Sequence, residues 1–139
     1  MPRAWTVVLA GALATSTASP ATASDATLES TFARGVAQLR APAVPTRRDA
    51  QLRRTLGLLR ADHASTATGR RGRSLAVEGF TWMRRRVQAQ LALIANDSGN
   101  IEAAIRDAKR ADRCLERGAR LLRAAGRSFG IRVGKLDGR

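Results

Sequence analysis

The stretch LAVEGFTWMRRRVQAQLALIA at residues 75–95, followed by NDSGN at 96–100 and IEAAIRDAKRADRCLERGARLLRAA at 101–125, decides the fold class. At 100° per residue, Ala76, Phe80, Met83, Val87, Leu91 and Ile94 fall on one line, and Leu75, Trp82 and Leu93 widen the apolar arc past half a turn. So broad an arc predicts a central helix. The polar run 96–100 stops it, with Asn100 as the expected N-cap of the next helix and Glu102 in its first turn. In that second helix Ile101, Ala104, Ile105, Ala108, Leu115, Ala119 and Leu122 are expected inward, Arg106, Arg110, Arg113, Arg117 and Arg120 outward, and Gly126 at the C-cap. A link this short predicts an antiparallel hairpin, with the Phe80 ring beside Gly118 and Ala119.

Outward from the hairpin the punctuation is again helical. Residues 25–40 space Leu28, Phe32, Val36 and Leu39 by three or four, and Ala41-Pro42-Ala43-Val44-Pro45 ends the run. Thr46 precedes Asp49 by three, which resembles a capping box, and Leu52, Leu56, Leu59 and His63 then form one stripe to about Asp62. Residues 64–74, with Gly69-Arg70-Arg71-Gly72-Arg73, are expected as a flexible loop. The segment Phe129-Gly130-Ile131-Arg132-Val133 reads as an extended strap or frayed end. The expectation is an all-α chain: a small up-down helical bundle of about four helices over 24–126, built on the C-terminal antiparallel hairpin, with an irregular tail at 127–139.

Residues 1–23 have the form of a signal peptide: Arg3, an apolar run at 6–15, and Ala21-Thr22-Ala23 as a small-x-small cleavage site. The expected localisation is therefore secreted or cell-envelope associated, after cleavage near Ala23. No apolar run approaches the roughly 20 residues of a membrane-spanning helix, so no transmembrane span is expected.

The chain has 139 residues, 25 Lys+Arg against 11 Asp+Glu, and a formal net charge of +14. With 23 Arg, 2 Lys and 27 Ala its composition resembles that of proteins from high-GC bacterial genomes, which accounts for Arg over Lys but not for the excess of positive charge. Such a field attracts wall polymers, anionic lipid or extracellular nucleic acid. Arg70, Arg71 and Arg73, with Arg84 and Arg85, are the densest anion-binding candidates. No aromatic residue alternates with these arginines, which argues against sequence-specific nucleic-acid recognition.

Arg86 and Gln90 interrupt the apolar arc of the third segment. In an antiparallel hairpin Arg86 faces Asp112, so a buried Arg86–Asp112 pair is expected; the alternative is a pocket in which Arg86 and Gln90 bind a carboxylate or phosphate. Cys114 is a candidate for an intermolecular disulfide, because one thiol cannot pair internally, and a homodimer follows as a possible partner state. His63 reads as a core or boundary histidine. No metal or cofactor site is expected, and a general acid or base would have to come from Glu78, Asp112 or His63. A non-catalytic interaction module, binding a protein partner or an anionic envelope polymer, is the functional expectation. The alternatives are a self-assembling structural dimer and, last, a small helical enzyme for an anionic metabolite.

Overall fold

A computed structural model describes residues 20–96 and 99–136, with side chains from Asp25 onward. Residues 1–19, the greater part of the expected signal peptide, lie outside the described residues. Four helices follow one another: α1 (Pro20–Arg40), α2 (Pro45–Ala61), α3 (Ala67–Ala95) and α4 (Ile101–Phe129), with no strand among the described residues. No helix of the described residues is long and apolar enough to cross a membrane.

The apolar stripes of α1 and α2 go where their spacing directs them, with Leu28, Phe32, Val36, Leu39, Leu52, Leu56 and Leu59 all in the core. α2 starts differently from expectation. Its N-cap is Val44, with no side-chain cap, and Pro45 opens the helix through its fixed φ and missing N–H. The capping box at Thr46 and Asp49 does not form, and Asp49 is left to pair elsewhere.

The loop expected at 64–74 is helical from Ala67. The Thr66 hydroxyl accepts a hydrogen bond from Gly69 N at 2.9 Å and donates to the Asp25 carboxylate, which also accepts from Ser65 N at 2.9 Å. These bonds, the hydroxyl first, hold the Asp25 carboxyl below its ordinary 3.8. Gly72 stays in the helix because the Phe129 ring lies where its side chain would be, 2.7 Å from the place of a Cβ. Helical glycine costs roughly 1 kcal/mol against alanine, and the packing of a buried aromatic ring exceeds that.

α4 runs past the expected stop to Phe129, and Gly130, at φ 70°, is its left-handed C-cap in place of Gly126. The chain then turns back: Ile131 N donates to Gly126 O at 2.8 Å, and Val133 and Leu136 enter the core. The tail is thus a buried strap.

Contacts at the helical glycines give the register of α3 on α4. Phe129 covers Gly72, Leu122 covers Gly79, and Met83 with the Gly79 carbonyl fills the space at Gly118, so the numbers fall on one helix as they rise on the other. The Phe80 ring is not the one at Gly118; it meets Phe32 edge-on at 5.9 Å and the space at Gly35 of α1. α4 is also rotated by about a quarter turn, roughly one residue, from the orientation its isoleucines suggest. Ala111, Cys114, Gly118, Leu122 and Ala125 are buried, while Ile101 and Ile105 are exposed. Small residues let the two backbones approach closely, and that contact decides which face turns inward.

Arginines close the helix ends. Arg48 of α2 donates to the carbonyls of Gln38 and Ala41 at the end of α1, the second at 2.7 Å. Arg73 of α3 does the same for Leu59 and Arg60 at the end of α2, at 2.7 and 2.8 Å. Each cation satisfies carbonyls that have no partner within their own helix and opposes the negative end of the dipole.

Candidate anion-binding surface

The five arginines expected to bind anions are mostly engaged within the fold. Arg73 caps α2 as above. Arg84 donates to Asp49 at 2.9 Å across α2 and α3, and Arg53 joins the same carboxylate at 3.3 Å. The Arg85 guanidinium lies 4.5 Å from the Trp82 ring centroid, as does that of Arg117 from α4, so the half-buried Trp82 ties the two helices together through its π face. Arg70 donates to Ser65 O at 3.3 Å and lies in the field of Asp25. Arg71 alone of the five is exposed on a groove with another basic residue, Arg127.

The expected Arg86–Asp112 pair is not buried. Asp112 is exposed, because the rotation of α4 turns its stripe to solvent, and the ion pairs between described side chains converge on Asp49. Arg86 and Gln90 instead line a cleft of about 100 Å³ between α3 and the α1–α2 connector, together with Arg48. Burial first, and the charge of Arg86 second, lower the pKa of Arg48. The energetic roles of the two aspartates are therefore exchanged. Asp49→Ala is expected to cost about 1 to 2 kcal/mol, between the values for a charged hydrogen bond and a surface pair. Asp112→Ala should stay within about 0.5 kcal/mol. Urea denaturation of the two variants checks this, and a larger loss at Asp112 would contradict the observed orientation of α4.

Cys114 is buried, so its thiol is not presented to a second chain. His63 is exposed and stands outside the core it was expected to join.

What remains for an external anion is the C-terminal half of α4 and the strap. Between Glu116 and Asp137 the sequence holds Arg117, Arg120, Arg123, Arg127, Arg132 and Lys135 and no acid. Arg120, Arg123 and Arg127 are exposed along one face of α4. Two grooves flank this stripe. One, of about 380 Å³, has Leu115, Ala119 and Leu136 as its apolar floor and Arg120, Arg123 and Lys135 on its rim, with Glu116 at one end. The other, of about 430 Å³ between α4 and α3, carries Arg71 and Arg127. A polymer laid along α4 thus meets cations on both sides. Sequence reading passed over this stripe as a solvated face relieved by Asp107 and Glu116, yet neither acid forms an ion pair with Arg110, Arg113 or Arg120 within 4 Å among the described residues. The absence of acids over twenty consecutive residues was the available signal.

Comparison with protein-family models, with curated proteins and with solved structures finds no match.

Proposed function

We propose that the chain is an exported, non-catalytic interaction module, an up-down four-helix bundle built on the α3–α4 hairpin, that associates with an anionic envelope polymer through the stripe Arg120, Arg123 and Arg127. The observation that carries this reading is the acid-free run from Arg117 to Lys135, flanked by two open grooves. Cations that already hold helix ends or Asp49 have their charge offset inside the molecule, whereas those of the stripe gain a counter-charge only from outside. Binding of this kind releases counterions from the polymer, and so follows charge density more than shape. Export fits the same reading: cleavage after Ala23 would shorten only the first turn of α1 and would leave Asp25 and every core residue in place.

The test uses a fluorescently labelled polyphosphate as the probe. Neutralising Arg120, Arg123 and Arg127 to Gln should reduce the slope of log K against log salt by about 3, one for each lost contact. Neutralising Arg47, Arg54 and Arg60 on α2 should change it by less than about 1. Equal effects of the two triple variants would show that charge alone, and not the stripe, governs binding; an unaffected slope in the α4 variant would refute the site.

A further inference from the structure

The hairpin outruns the bundle that supports it. From Gln90 to Arg110 no described side chain is buried, although α3 and α4 continue through this region for about 9 and 15 Å respectively. The two helices face each other there through small or polar residues, with Ala103, Ala104 and Asp107 half-buried. The large apolar side chains point the other way: Ile101 is 73% exposed, Ile94 66% and Ile105 48%, and Ala108 continues the stripe one turn on. An outward row of isoleucines at i, i+4 spacing is an unpartnered helix face.

Charge identifies what covers it. Residues 90–113 contain four acids, Asp97, Glu102, Asp107 and Asp112, and four bases, Arg106, Lys109, Arg110 and Arg113. The remaining chain, with 21 basic and seven acidic residues, therefore carries the whole of the +14. Two copies of such a molecule repel one another body to body, and the neutral tip is where they can meet without that cost. A lipid surface rich in anionic headgroups, or an acidic protein, would call for a basic collar around the isoleucines. Here that collar is balanced by acids of equal number.

We infer that the hairpin tip is a homodimer interface, in which the Ile94, Ile101 and Ile105 patch of one copy covers that of a second through an isologous contact. The four helices so brought together bury the side of the tip that α1 and α2 leave open. The basic bodies then stand at the two outer ends. If the stripe binds a polymer as proposed above, each dimer offers two such stripes and gains by avidity; the interface itself is tested without any polymer.

Sedimentation equilibrium on the full chain supplies the test, with Ile94→Ser/Ile101→Ser/Ile105→Ser as the variant, chosen because it leaves every charge unchanged. The wild type should show twice the 14.9 kDa chain mass at micromolar concentration, and the variant should raise the dimer dissociation constant by at least ~100-fold, since several apolar side chains lose their cover at once. Far-ultraviolet circular dichroism and the melting temperature should be unchanged, because these positions lie outside the core. Added salt should tighten the dimer by screening the bodies, the opposite of its effect on polyphosphate binding, so the two readings fail separately. A wild type that is monomeric to about 100 μM overturns the inference, as does a variant that dimerises equally well. Isoleucine-dependent binding of a monomeric wild type to vesicles of anionic lipid would overturn it in favour of a membrane surface.

Discussion

Phe32→Ala is expected to lower the free energy of unfolding by about 3 to 5 kcal/mol, the largest loss of any single truncation in the molecule. Phe32 is fully buried, and its ring meets Phe80 of α3 at 5.9 Å and Phe129 at the end of α4 at 5.3 Å. One side chain of α1 therefore joins both long helices. Removing it opens a cavity bounded by two other rings, which cannot fill it without leaving Gly35 and Gly72, the positions they cover. A small domain of marginal stability has little reserve for such a loss. Chemical denaturation should show the midpoint falling with little change in slope, and a loss below about 1 kcal/mol would mean that α1 is not part of the core.

Gly79→Leu should be nearly as damaging, at about 3 kcal/mol, for the opposite physical reason. A Cβ on Gly79 would lie 2.8 Å from the Leu122 side chain and 3.1 Å from the backbone nitrogen of that residue. A side chain can turn aside, but a helix backbone cannot. The two long helices would have to separate along their length. Gly57 provides the control, since nothing lies within 4 Å of a Cβ there. Gly57→Ala should stabilise the protein by roughly 0.5 to 1 kcal/mol, through helix propensity and a less flexible unfolded chain. Thermal unfolding of the two variants must move in opposite directions. A stabilised Gly79→Leu protein would contradict the close approach of α3 and α4.

These residues also mark how far the sequence could be read. The stripes of α1 and α2 each consist of one row of large side chains, so Leu28, Phe32, Leu52 and Leu59 admitted a single orientation. α4 offers two apolar faces, one of isoleucines and one of Ala111, Cys114, Gly118 and Ala125. Periodicity alone favours the bulkier, whereas the structure buries the smaller, because close contact with Gly79 and Met83 of α3 governs the choice. The error at residues 64–74 has the same origin, since Gly72 signals a loop until the Phe129 ring that occupies its vacant side is known. Asp112 was placed inside by the same rotation.

The functional arginines were hidden differently. Density along the chain pointed to Arg70, Arg73 and Arg84, but density does not disclose the carbonyls of Leu59 and Arg60, or the Asp49 carboxylate, that engage two of them. Those partners lie thirteen to 35 residues away. The charges free to act are the ones with no acid nearby in either sequence or space.

The reading of α4 as a polymer-binding stripe is tested most directly by the salt dependence of polyphosphate binding to the wild-type chain, between about 50 and about 500 mM monovalent salt. If Arg71, Arg120, Arg123, Arg127, Arg132 and Lys135 meet the polymer together, log K should fall linearly with log salt at a slope of about −4, the value for some six contacts on a flexible chain. A slope shallower than about −1, or no binding at the lowest salt, would contradict it.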